Sequence, residues 1–267
     1  MLTGMAPPRR RLVLGVATIV ALAVLAAVAV LLASMHRAQP AAPVAQDVPG
    51  PVLLVPGYGG STAGLDVLAN LLRAHGKDVA VLTLPGDGRG DLNAQAAALG
   101  AAVATELART HARSVDVVGY SAGGVVARLW VREHGGARAA RRVVTLGSPH
   151  HGTELAGLAG SLLPGACPIA CQQLEPNSSL LDELNAGDQP PAGPSFVSIW
   201  TTHDDVVLPP NSASIPGALD FTVQSVCAGD PVRHSGLPSD PVVGAIVLAE
   251  LAPGPPVAAP RVSCPSS

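Results

Sequence analysis

Hydrophobic positions along this chain group into short apolar runs, each followed by a stretch with helical spacing. Val52–Val55 is a continuous apolar run of the kind a buried parallel strand requires. After a glycine-rich turn, Leu65, Leu68, Leu71 and Leu72 recur at helical intervals behind Ser61 or Thr62 as the cap. Val79–Leu84 reads as the next strand, closed by Pro-Gly-Asp-Gly, and Asp91 caps an alanine-rich helix that runs to about Thr110. Val115–Val118 predicts a strand, and Val125, Val126 and Leu129 lie on the helix after it. Val143–Leu146, Phe196–Trp200 and Phe221–Val226 predict further strands. A last helix opens at Asp240-Pro241, with an N-cap followed by proline at the first helical position. Strands alternating with helices predict an α/β fold, a mostly parallel, doubly wound sheet with helices on both faces. Between Gly152 and Pro194 the regularity fails, and the segment reads as an irregular excursion over the sheet.

The N-terminus follows a different pattern. Arg9-Arg10-Arg11 precedes Leu12 to Ala33, an uncharged apolar segment. At 1.5 Å per residue it spans roughly 33 Å, about the depth of one bilayer core. Residues 1–11 then form a cytoplasmic n-region, 12–33 a transmembrane anchor or signal peptide, 34–50 a Pro/Ala-rich linker, and 51–267 the folded body. Basic residues ahead of the apolar segment predict that the body is exported. Cleavage around Ala41-Ala42 or Ala45-Gln46 is the alternative to an uncleaved anchor, although signal-peptide apolar regions usually run only about 7–15 residues. The paired arginines also allow a twin-arginine export signal.

Composition narrows the function classes. The chain has 267 residues, 48% of them hydrophobic and 13% charged, which excludes a disordered protein. Its net charge of −3 hides a split. Arg9, Arg10, Arg11 and Arg37 all precede residue 40, leaving 12 basic against 19 acidic residues in the body. Such a body is no electrostatic partner for nucleic acid, and six aromatic residues offer few stacking platforms.

Candidate chemistry concentrates at Gly119-Tyr120-Ser121-Ala122-Gly123, between a predicted strand and a predicted helix. A serine on so tight a turn presents its hydroxyl, because two glycines let neighbouring backbone come close. An ordinary glycine-rich turn capped by serine is the bland alternative. A serine nucleophile needs a base, in the order Ser, acid, His. Of the histidines after Ser121, His134 ends the helix, His150 and His151 come too early, and His203 precedes the candidate acid. His234, in the loop before the last helix, remains as the base. Asp204 and Asp205 both follow the strand Phe196–Trp200, and either carboxylate could orient the imidazole. The expected oxyanion donors are the backbone N–H groups of Ala122 and, in the turn Pro56-Gly57-Tyr58-Gly59-Gly60, of Tyr58. That glycine cluster lacks the spacing of a dinucleotide site.

With these motifs the body resembles the secreted bacterial lipases of the class 2, or lipase A, type within the α/β-hydrolases. The resemblance runs from about Val52 to Leu251. It is carried by Val-Pro-Gly-Tyr-Gly-Gly (55–60), Gly-Tyr-Ser-Ala-Gly-Gly (119–124), Thr-Leu-Gly-Ser-Pro-His-His-Gly-Thr (145–153), Asp-Asp-Val-Val-Leu-Pro (204–209) and the late His234. It implies an α/β-hydrolase fold, hydrolysis of lipid carboxylic esters, no cofactor, and Asp204 as the triad acid. Pro56 stands where many relatives carry histidine, which matters little for a backbone donor.

Four cysteines fit export, and their three possible pairings include Cys167–Cys171 with Cys227–Cys264, the first local and the second tying the tail to the His234 loop. Without a C-x₂-C pair no metal site is expected. Leu155, Leu158, Leu162, Leu163 and Ile169 could line an acyl groove, form a small lid, or simply cover the sheet. The expectation is an extracytoplasmic serine lipase or esterase, monomeric, acting on a lipid or ester and touching the membrane through its N-terminal segment. A serine acyltransferase or thioesterase of envelope lipids is the nearest alternative, and an inactive α/β-hydrolase binding protein a more distant one.

Overall fold

The computed structural model of the chain describes residues 15–16, 18–28, 44–162, 167–187 and 189–264. Two units form, residues 1–40 and residues 41–267. In the first, residues 15–16 and 18–28 are helical and exposed. Among the described residues, no helix is long and apolar enough to cross a membrane. Both ends of the expected 12–33 span lie outside the described residues, as do Arg9, Arg10, Arg11 and Arg37.

The second unit is a six-stranded sheet. Its elements run β1 (Val52–Val55), α1 (Ala63–Ala74), β2 (Val79–Val81), α2 (Leu92–Thr110), β3 (Val115–Tyr120), α3 (Ala122–Glu133) and β4 (Ala140–Leu146). There follow α4 (Glu154–Leu162), α5 (Ile169–Gln173), α6 (Ser179–Asn185), β5 (Ser195–Trp200), β6 (Leu219–Thr222), α7 (Val223–Val226) and α8 (Pro241–Glu250). Strand order is β2-β1-β3-β4-β5-β6, and every neighbouring pair is parallel.

Both faces are covered because the strands alternate apolar side chains to each. Leu53, Val55, Val117 and Val143 pack with Leu92, Leu99 and Val103 of α2 and Val126 and Trp130 of α3. On the other face Val52, Leu54, Val118 and Val144 meet Leu65, Leu68 and Leu72 of α1 and Val243, Ile246 and Val247 of α8. Side chains set two of the helix starts as expected, whereas at α1 Thr62 makes no capping bond to the backbone, its hydroxyl donating to the Asp66 carboxylate instead. Asp91 accepts the N–H of Asn93, and Asp240 accepts those of Val242 and Val243.

Three segments differ from the sequence expectation. Strand β2 stops at Val81 rather than Leu84, because β1 is only four residues long; Leu82 makes one last bond to the Leu54 carbonyl before the chain turns. Phe221–Val226 is half strand: at Thr222 the hydroxyl accepts the Ser225 N–H and starts the single turn α7. The excursion 152–194 is also more regular than expected, holding α4, α5 and α6. At nine, five and seven residues these helices are too short to show a period in sequence.

At the strand N-terminal ends, Arg141 grips Asp116 with two hydrogen bonds, 2.8 and 2.6 Å, both side chains wholly buried. Arg141 also donates to the carbonyls of Gln46, Leu251 and Ala252. Arg142 reaches the Gln46 side chain and the carbonyls of Glu250 and Gly254. Residues 44–50, read as linker from composition, are thereby fastened to the body.

Cys167 is bonded to Cys171, and Cys227 to Cys264. Val262, just ahead of Cys264, packs against the α1/α8 face. The second bond joins residues 37 apart, so chain-entropy reasoning gives it roughly 3–4 kcal/mol. Cys227→Ser should therefore lower the unfolding free energy from urea titration by that amount, and with it the midpoint, and reductant, which also opens Cys167–Cys171, should cost the unsubstituted protein at least as much. An unchanged midpoint would show that packing of the tail suffices.

Candidate active site

Ser121 stands between β3 and α3 with φ 52° and ψ −126°, a backbone conformation rarely adopted by a residue with a side chain. The turn is possible because its flanks are bare. A Cβ on Gly123 would lie 2.3 Å from the Val55 carbonyl oxygen, and one on Gly119 2.6 Å from the Gly124 nitrogen. Gly124 carries the same constraint against Ser148, whose Oγ would be 2.0 Å away.

The strand order places this turn where open parallel sheets take ligands. The chain winds outward from β1 to β2 and then crosses to β3 on the other side, so the loops after β1 and β3 part and leave a crevice. The β1 loop supplies Tyr58, the β3 loop Ser121 and Ala122. Among the described residues, no backbone carbonyl takes the N–H of Tyr58 or Ala122. Ala122 opens α3, whose N-terminal amides favour developing negative charge. Loop 85–91 braces the Tyr58 turn: Gly59 donates to the Gly88 carbonyl, and the Arg89 guanidinium lies 5.7 Å from the Tyr58 ring centre.

His234 reaches Ser121 from the loop before α8. Its Nε2 is 3.0 Å from Ser121 Oγ and its Nδ1 is 2.9 Å from Asp204 Oδ2. Asp204 and His234 are both buried. The other Asp204 oxygen accepts the N–H groups of Val206 and Val207. An ionised carboxylate held in this way keeps a proton on Nδ1 and leaves Nε2 free to face the hydroxyl. Tyr120 steadies the ring from beneath. Its hydroxyl donates to the His234 carbonyl, and burial, then the charges of Asp204 and Asp205, push its pKa up to about 12.

An apolar cavity of about 260 Å³ opens beside Ser121, lined by Tyr58, Pro149, Thr153, Leu155, Ala156, Cys171, Leu174, Val206 and Val207. Among the described residues, no group of three or more His, Cys, Asp or Glu side chains could hold a metal ion.

Residues 51–182 match the palmitoyl protein thioesterase family. No curated protein matches the chain. Among solved structures, lipase B of Aspergillus fumigatus superposes with a TM-score of 0.65 at 20% identity, over 78% of this chain and 54% of that one. This chain thus spans about half the length of that lipase. A Bacillus licheniformis lipase in its mature form gives a TM-score of 0.56 at 21% identity, over 68% of this chain and 86% of that one. At such identities the likeness is one of architecture. The body has the α/β-hydrolase fold.

In that α/β-hydrolase body the structure brings together Ser121, His234 and Asp204, with the Tyr58 and Ala122 amides alongside. It separates Asp205, which points to solvent and pairs with Arg233 at 3.0 Å; that hydrogen bond holds its carboxyl below the usual range. His134 and His203 are exposed. His150 is wholly buried, its Nε2 3.1 Å from Thr145 Oγ1, and desolvation drives its pKa far down. Of the leucines considered for an acyl groove, Leu155 lines the cavity. Leu158 and Ile169 are exposed nearby, the side chain of Leu162 is not described, and Leu163 lies outside the described residues.

Two features of the α/β-hydrolase body carried no sequence signal. Arg128 of α3 is buried, and among the described residues it donates to the Leu184 carbonyl and to the side chains of Asn185 and Gln189. Burial pulls its pKa down to about 10. Gly147, after β4, has φ 55°, and a Cβ there would lie 2.5 Å from Leu237 Cδ1, 3.2 Å from Asp204 Oδ2 and 3.3 Å from His234 Nδ1.

A fluorophosphonate probe is expected to label Ser121. Asp204→Asn, which favours the wrong imidazole tautomer, should slow labelling by about 10³–10⁴-fold, and Asp205→Asn by less than about threefold. The reverse ranking, read by mass spectrometry, would move the acid to Asp205. Gly147→Ala should slow labelling by about 10–100-fold, because the new methyl displaces the His234–Asp204 pair. A labelling rate equal to that of the unsubstituted protein would show that the pair tolerates the shift.

Proposed function

We propose that this body is a serine hydrolase that cleaves carboxylic esters of lipids through an acyl-enzyme. The reading rests on one observation, the unbroken hydrogen-bonded chain Ser121–His234–Asp204 at the mouth of an apolar cavity. Its likeness to class 2 lipases stands on the sequence motifs, and the lipase structures it superposes on support the same direction.

On this reading each group has a task. Ser121 Oγ attacks the ester carbonyl while His234 Nε2 takes its proton. Asp204 stabilises the imidazolium and keeps the ring oriented. The carbonyl oxygen, now an oxyanion, takes hydrogen bonds from the Tyr58 and Ala122 amides; losing one such donor typically costs about 10²–10³ in turnover. Collapse of the intermediate breaks the bond to the leaving oxygen, which receives the proton from His234. Water, deprotonated by the same imidazole, then frees the acid and restores Ser121.

A thioester is the second reading, supported by the match of residues 51–182 to the palmitoyl protein thioesterase family. The same groups serve it, with a thiol leaving in place of an alcohol. Acyl transfer to an alcohol acceptor would differ only in the second step. For location we propose export, supported by the two disulfides and by the basic-then-apolar N-terminal sequence, with residues 12–33 as anchor or signal.

Ser121→Ala should abolish hydrolysis of p-nitrophenyl butyrate, by about 10⁶-fold in turnover, with an unchanged circular dichroism spectrum. Residual activity near that of the unsubstituted protein in the folded variant would reject the nucleophile. Comparing kcat/KM for a butyryl ester and for a butyryl thioester of N-acetylcysteamine decides between the two leaving groups.

A further inference from the structure

The cavity beside Ser121 has a definite side, a definite chemistry and a definite depth. Its side follows from which groups line it. Tyr58, the proposed oxyanion donor, is in the wall, and His234 is not. The leaving group must depart where His234 Nε2 can protonate it, so the cavity takes the other half of the substrate, the acyl chain.

Its chemistry follows from its hydrogen bonds. Among the described lining residues, Tyr58 carries its phenol at the open rim, and deeper in, apart from Ser121, Thr153 has the polar side chain; its hydroxyl is engaged twice: it donates to the Val206 carbonyl at 2.6 Å and accepts from the Leu208 N–H at 3.0 Å. The amides of Val206 and Val207 are held by Asp204. Cys171 is tied up in its disulfide. Below the Tyr58 rim, an amino or hydroxyl group on the acyl chain would find, among the described residues, no side chain to replace the water it gave up.

Depth is limited by a floor. Ala156 and Leu174 are buried and belong to the core cluster beneath, with Ala170, Leu180 and Leu181 around them. Tyr58, Leu155 and Val206 form an open rim, each about two-fifths exposed. If a methylene takes about the room of a water, roughly 30 Å³, a cavity of about 260 Å³ holds on the order of nine carbons.

We propose that the body selects apolar acyl chains of medium length, with Leu174 and Ala156 as the residues that set the limit. The inference rests on the hydrolase reading above and narrows it: a sixteen-carbon acyl chain overfills the cavity and leaves its outer half in solvent.

The test is kcat/KM for p-nitrophenyl esters from acetyl to palmitoyl, kept below their critical micelle concentrations and normalised to the acetyl ester for each variant. Burying each methylene should raise the ratio by up to about fourfold as far as octanoyl, and the rise should stop by dodecanoyl. Leu174→Ala should move the break to longer chains and Ala156→Leu to shorter ones, with thermal melts to show that each variant is folded. A rise that continues to palmitoyl, or no dependence between acetyl and octanoyl, would overturn the proposal. So would breaks that stay in place in both folded variants. If neither variant folds, the series on the unsubstituted protein decides by itself. Absence of activity on every ester would instead count against the hydrolase reading.

Discussion

Everything around the site follows from the backbone of one residue. Ser121 adopts a positive φ that costs on the order of 1–3 kcal/mol for a residue with a side chain. Such a turn persists only when its surroundings over-determine it. Here they do so by close approach: Gly119, Gly123 and Gly124 leave no room for a single methyl against the β1 carbonyls, the α3 backbone and Ser148. The sheet and α3 are drawn together at that point, and the serine has nowhere to go but outward. Once it is fixed, the β1 loop must be adjacent, because Val55 pairs with Gly119 in the parallel register.

Legibility in the sequence depended on how far apart the cooperating residues lie. The turn at Ser121, the caps Asp91 and Asp240 and the strands β1 and β3 are local patterns, and all could be read directly. The choice between Asp204 and Asp205 could not be made from local chemistry, since the two are neighbours of one type. In space the two part company: one carboxylate meets His234 and the other meets Arg233. Gly147 was quoted inside a motif without a role, because its constraint comes from Leu237 and His234, far along the chain. The helices of the excursion were invisible because each is too short to display a period. Arg141 and Asp116 gave no sign either, since nothing in a strand sequence tells which buried charge meets which.

The buried charges divide into two kinds. Arg141 is matched by a carboxylate and by backbone carbonyls, so removing Asp116 would strand a cation and cost about 3–5 kcal/mol. Among the described residues Arg128 meets no carboxylate and is held by carbonyl and amide acceptors on α6 and the segment after it. It fastens the excursion that carries the cavity wall to the helix that carries Ser121. Wall and Ser121 therefore share a support, although they lie far apart in sequence.

The clasp of Arg141 and Arg142 on Gln46, Ala252 and Gly254 sits at the beginnings of the strands, while the site lies at their ends. The polypeptide therefore comes into the body on the side away from the cavity, whereas after Gly254 it doubles back and is bonded at Cys264 to Cys227, a few residues before the His234 loop. The two ends of the described body are consequently unequal as points of attachment: a cargo placed at Cys264 would crowd the loop that carries the imidazole, and one placed at Val44 would leave it clear.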